Sequence, residues 1–184
     1  MRLVKKFNKF VTKIMQMELK EFTLPFVGLK HGKHNFSFAI DNKFFEHFGF
    51  DDFHNTKLEG KLILDKKPSF LELHFDVKGE VILSCDVSTE LFSHIVKSSF
   101  DVIVKFGVSK ETDPDEILII PEGSYQINVA QYFYEMVVLS IPLKRVHPGI
   151  KNGTLKNEIL SKLEDLDPQN KKSAFSKDPR WEKL

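Results

Sequence analysis

Apolar and polar residues alternate along most of the chain from residue 19 onwards. "LKEFTLPFV" (residues 19–27) and "KHNFSFAI" (33–40) lie on either side of turn material between Gly28 and Gly32, with the two-residue period of half-buried strands. "KLEGKLILD" (57–65), "SFLELHFDVKGEVILSCDV" (69–87) and "SFDVIVKFGV" (99–108) continue the pattern. Lys78-Gly79 predicts a turn inside the long middle run, and Lys-Pro-Ser a turn before it. "ILIIP" (117–121) reads as a short, fully apolar strand, and "ETDPDE" before it as an acidic turn.

Two stretches break the period. "DNKFFEHF" (41–48) reads as one short helix capped by Asp41 or Asn42. In "INVAQYFYEMVVLSIPL" (127–143), Val129, Phe133, Val137 and Ile141 fall near helical spacing. This predicts a core helix over 128–141, capped by Asn128 and stopped at Pro142. Beyond Gly149 the chain turns polar; "LKNEILSKLEDL" (155–166) suits a short amphipathic helix, and the remainder reads as a flexible tail. The expected fold is α+β: a mainly antiparallel twisted sheet of six to eight strands, or a partial barrel, with one main C-terminal core helix and an extended tail. The expected division is a basic leader at 1–16, a β-rich domain at 17–149 and a basic flexible tail at 150–184.

Charge sharpens this division. The net charge is +1, but residues 1–16 carry +5, residues 17–143 carry −8 and residues 144–184 carry +4. An acidic body repels polyanions, so any nucleic-acid contact belongs to the basic end. The leader puts Leu3, Phe7, Phe10 and Ile14 on one helical face with Lys5, Lys6, Lys9 and Lys13 mostly elsewhere. That suits a membrane-surface helix; the other reading starts translation at Met15 or Met17. No apolar run reaches the roughly 20 residues of a membrane span, and no apolar stretch of a secretory signal follows the basic start. The expectation is a cytoplasmic protein without membrane partners.

The chain holds 18 phenylalanines. "FFEHFGFDDF" (44–53) is either core or an apolar surface for a partner. Seven histidines invite a metal site, with His31, His34, His47 and His54 as candidates, but no pair has ligand spacing on a helix. The one cysteine, Cys85, ends an apolar run next to Asp86, whose charge would raise the thiol pKa; burial would leave it inert. No phosphate loop or nucleophile elbow is present. Nothing in the residues calls for catalysis, a cofactor, a metal or a small-molecule substrate.

Cys85 at the end of an alternating strand pair, the helix running into "LSIPLKRVHP" (139–148) and the closing "DPRWEKL" (178–184) resemble the YceD family of bacterial and plastid proteins. Its hallmarks are Cys-x-Arg-Cys-Leu, a helix ending in Leu-x-Leu-Pro with a histidine shortly after, and a final Asp-Pro-Arg-Trp. Here they fall on Cys85, on Leu139, Ile141, Pro142 and His147, and on Asp178 to Trp181. Val87 and Ser88 replace the family's arginine and second cysteine, so no Cys-x-x-Cys pair remains to clamp a metal or cycle as a disulfide. The resemblance implies a non-enzymatic factor in accumulation of large-subunit ribosomal RNA, acting on that RNA or on a ribosome-assembly protein. Candidate contacts are Lys144, Arg145, His147, Lys171, Lys172, Arg180 and Trp181, the cations for phosphates and Trp181 for an unpaired base. The other readings of these residues are structural: Lys144 and Arg145 complement the preceding helix dipole, His147 caps that helix, and Trp181 docks on its own domain. The alternative function is a protein-interaction module using the Phe-rich segment.

Overall fold

The structure, a computed structural model, describes residues 19–108, 117–155 and 158–166. The chain divides into two compact units, residues 1–83 with 93–143 and residues 84–92 with 144–184. A 3-10 turn at Lys20–Phe22 precedes β1 (Thr23–Pro25), β2 (Gly32–Ile40), α1 (Asn42–His47), β3 (Asn55–Lys66), β4 (Phe70–Ser84), β5 (Leu91–Phe106), β6 (Ile117–Ile120) and β7 (Gln126–Asn128). Helices α2 (Ala130–Ser140), α3 (Pro148–Lys151) and α4 (Glu158–Leu166) complete the described elements.

Five strands form one twisted sheet in the order β2-β3-β4-β5-β6, and β1 pairs with β7 in a separate ribbon. The β2–β3 and β3–β4 ladders are antiparallel, and β6 joins β5 in parallel. The large sheet does not close into a barrel, which corrects the partial-barrel alternative.

One face of the sheet is the core of the first unit. Leu58, Leu62 and Leu64 of β3, Leu71, Leu73, Phe75, Val77, Val81 and Leu83 of β4, and Val96, Val102 and Val104 of β5 are all buried. Helix α2 packs Phe133 against this face, 5.2 Å from the rings of both Phe38 and Phe75. The approach is close because β3 carries Gly60 there: a Cβ at that position would lie 2.8 Å from the Phe133 ring. Val129, not the predicted Asn128, occupies the cap position of α2, and Asn128 serves the helix start from one residue before it, its Oδ1 accepting from the Ala130 N–H at 3.0 Å. Its Nδ2 donates to Thr23 Oγ1 and to the Leu19 carbonyl. Asp41 caps α1 by accepting from the Phe44 N–H.

Gly79 is no turn, contrary to the sequence expectation. Strand β4 runs unbroken through it, with buried positions on both sides keeping one parity. Gly79 sits at φ +148°, opposite Leu58, and a Cβ there would come within 2.2 Å of the Lys57 carbonyl oxygen. The glycine is needed for strand approach rather than for chain reversal. The outer face of the sheet is a mosaic of opposite charges in register: Lys57 faces Glu80, Glu59 faces Lys78, and Lys61 faces Asp76. Lys78 and Lys61 approach Glu59 to 3.3 and 3.5 Å.

Replacing Gly79 by alanine forces backbone apart in the centre of the sheet. We expect Gly79→Ala to lower the urea-unfolding free energy by about 2 kcal/mol or more. A change under about 0.5 kcal/mol would show that the strand relaxes freely.

Candidate functional site

In the second unit, the chain reverses sharply between β4 and β5. The Cys85 N–H donates to the Glu90 carbonyl and the Thr89 N–H to the Cys85 carbonyl, each at 2.9 Å. Thr89 adopts φ +60°, the left-handed conformation that lets so short a turn close. Inside it the Cys85 sulfur accepts from the Val87 and Ser88 N–H groups at 3.4 Å and from the His147 N–H at 3.2 Å. The Ser88 side chain lies buried in the same turn. Burial opposes ionisation of the thiol, but the Ser88 side chain and the three backbone N–H groups outweigh it and bring its pKa down from 9.0 to about 7.

Asp86 faces away from this role. Its N–H donates to the Arg145 carbonyl at 2.8 Å, its Oδ2 accepts from the Arg145 N–H at 2.6 Å, and its Oδ1 lies 3.5 Å from Arg145 Nε. A carboxylate so engaged does not set the thiol's behaviour, and the expectation that Asp86 raises the pKa is corrected on that ground.

His147 is tied at three points. Its N–H reaches Cys85, its ring meets Phe92 edge-on at 5.7 Å, and its Nδ1 accepts from the Gly149 N–H at 2.9 Å. It therefore caps the start of α3, with Pro148 at the first helical position, and does not cap the end of α2. Gly149 makes this possible, since a Cβ there would lie 2.9 Å from His147 Nδ1 and 3.0 Å from Leu155 Cβ. The Thr154 and Leu155 N–H groups close the far side on the Gly149 carbonyl. Of the predicted contacts, Lys144 is exposed, Arg145 is half-buried and engaged with Asp86, and His147 is half-buried. The structure brings Arg145 and His147 together at the Cys85 turn. Lys171, Lys172, Arg180 and Trp181 lie outside the described residues.

The Phe-rich segment packs inward. Phe44, Phe45 and Phe53 are buried, and Phe48 and Phe50 are half-buried against Tyr134. This inward packing weighs against the surface patch that the alternative function required. His31 and His54 are exposed, and the His34 ring bonds the Lys30 carbonyl. Among the described residues, no three His, Cys, Asp or Glu side chains gather as a metal site, nor is any helix long and apolar enough to cross a membrane. Sequence reasoning missed Asp86, Ser88 and Gly149 as structural parts of the turn. The available signal was Ser88, three residues after Cys85, from which the backbone N–H returns to the sulfur.

A β-rich unit followed by a basic unit folded around a cysteine turn is the arrangement these residues define. The YceD family, described as large ribosomal RNA subunit accumulation protein, matches residues 73–184, and the chain belongs to it. No curated protein and no solved structure matches the chain.

The thiol's lowered pKa makes stability pH-dependent. The unfolded chain holds the Cys85 proton up to about pH 9 while the folded chain releases it near 7, so ionisation favours the fold as pH rises. Measured against Cys85→Ala, wild-type stability should be unaided by the charge below pH 7 and gain on the order of 2 kcal/mol by pH 9. A difference that stays flat over that window would contradict the hydrogen-bonded thiolate. Asp86→Ala removes both the ion pair and the acceptor for the Arg145 N–H, and should cost about 1–3 kcal/mol in chemical denaturation.

Proposed function

We propose that this protein is a non-enzymatic factor that promotes accumulation of large-subunit ribosomal RNA, meeting that RNA or a protein that matures with it through the basic chain end. The observation that carries the reading is the family match over residues 73–184, which takes in both the Cys85 turn and the whole basic end. Electrostatics supports the same division of labour. The first unit's outer face pairs its own charges, leaving little field for a phosphate backbone, whereas residues 144–184 carry +4.

Within that end, Lys144 is exposed and Arg145 is anchored on Asp86. Lys144 is offered to a phosphate, while Arg145 and His147 hold the segment in place. Lys171, Lys172 and Arg180 supply further charge, and Trp181 a stacking plane. The few contacts make the interaction small and salt-sensitive, with a slope that scales with their small number.

The test is depletion of the protein in its source organism, with large-subunit and small-subunit ribosomal RNA quantified side by side. The expected result is a selective fall in large-subunit RNA, restored by the full chain but not by a copy ending at Asp167. A copy carrying Lys144→Glu should restore less than the wild type. An unchanged ratio after depletion would contradict the reading.

A further inference from the structure

The five-stranded sheet ends in two edges, β2 and β6. A strand edge presents unpaired N–H and C=O groups, and folded proteins blunt such edges with charge, proline, bulges or brevity. Strand β6 is four residues long and runs into Pro121. The part of β5 that β6 leaves uncovered carries exposed Lys97 and Asp101. The β1–β7 ribbon is three residues long and holds Pro25. Strand β2 has none of these guards along its length. It runs for nine residues, pairs one-to-one with β3 without a bulge, and among the described residues has no other strand partner. Seven successive residues, "HNFSFAI" (34–40), contain no lysine, arginine, carboxylate, glycine or proline, the composition that most readily adds a further strand.

We propose that β2 pairs with β2 of a second copy of this chain, antiparallel about a two-fold axis at Ser37, and so joins two five-stranded sheets into one. The charges at the two ends of the strand fix its direction and register. Lys33 and Asp41 are both exposed, and Asp41 keeps an extended backbone at φ −118°, ψ −175°, so it continues the outward row of Lys33, Asn35, Ser37 and Ala39. Antiparallel pairing centred on Ser37 sets each Lys33 opposite the partner's Asp41; parallel pairing in register would set like ends together. On the inner face the half-buried Phe36 then meets the partner's Phe38, a favourable aromatic cross-strand pair. Sliding the register by one residue turns facing side chains to opposite faces, and sliding it by two loses both ion pairs.

Both charges are available for this contact. Lys33 faces Asp65 across β3, but the Asp65 carboxylate is held by Lys67 at 2.8 Å. Asp41 spends Oδ1 on the Phe44 N–H, which leaves Oδ2 for a cation. The inner face at β2 is already closed by Phe22, stacked on Phe38 at 4.8 Å, so the open edge asks for backbone pairing and not for a side chain inserted beneath it. A nine-residue strand pair is a small interface, which places the dimer in the micromolar range. The inference does not rest on the ribosomal reading and survives its failure.

Sedimentation velocity on the full chain tests it. Between about 1 and about 300 µM the wild type should pass from monomer to dimer, the range of a small interface. Ser37→Lys, which sets two cations against each other on the axis, should leave a monomer throughout. Lys33→Glu should weaken the dimer by between about twofold and about thirtyfold, the scale of two exposed ion pairs; circular dichroism checks that each variant keeps its fold. Cross-linking reads the register, because residues directly opposite in an antiparallel pair lie within disulfide range. Under mild oxidation Ser37→Cys should form a covalent dimer, whereas Asn35→Cys or Ala39→Cys alone should not, and a mixture of those two should. Cys85 is buried and does not compete. A monomer at every concentration would overturn the proposal. So would a dimer indifferent to both Ser37→Lys and Lys33→Glu, which assigns self-association to another surface, or Asn35→Cys cross-linking as readily as Ser37→Cys, which excludes this register.

Discussion

The second unit is organised around one sulfur atom. The three backbone N–H groups that reach Cys85 Sγ come from two segments far apart in sequence, the 87–88 turn and His147. A thiol offers weak acceptance, a thiolate strong acceptance, and the donors bias the group toward the charged form. The same contact fixes His147, whose ring then caps α3, and α3 in turn brings Thr154 and Leu155 back onto Gly149. Asp86 and Arg145 hold the two segments together from the other side. Ser88 is buried in the turn, and its N–H donates to the sulfur.

The first unit depends on close approach of a different kind. Gly60 admits the Phe133 ring to the sheet, and Gly79 admits β3 backbone to β4. Phenylalanines then fill the space: Phe22, Phe38, Phe75 and Phe133 form one contiguous aromatic core, extended through Phe44 and Phe45 to Phe53. The high phenylalanine content serves packing, not display. Charges on the outer face answer one another across the strands, so little net field builds along that surface.

Much of this was legible in the sequence wherever a periodic signal ran long. The core helix followed from Phe133 and Val137 at helical spacing, and the sheet from alternation in β2, β3 and β4. Gly79 misled because a glycine after a lysine carries the signature of a turn, while the need for a missing Cβ arises only once Lys57 lies opposite. Strand β7 was hidden because three residues show no period, and "INV" also fits a helix start. The beginning of β5 was hidden because Leu91, Ser93 and Ile95 face outward. At the site, burial of Cys85 followed from the apolar run before it. The donors that lower its pKa were not legible, because backbone N–H groups carry no residue identity. Asp86 was misread because proximity in sequence stood in for direction: its carboxylate turns to Arg145.

The most direct test of the sulfur's organising role is a pH titration of backbone amide proton shifts by NMR. If Cys85 holds the two segments together as a hydrogen-bonded thiolate, the amides of Val87, Ser88 and His147 should titrate together with one midpoint near pH 7, moving downfield as the sulfur ionises, and the transition should vanish in Cys85→Ala. A midpoint near 9, or a His147 amide that does not move with the other two, would contradict it.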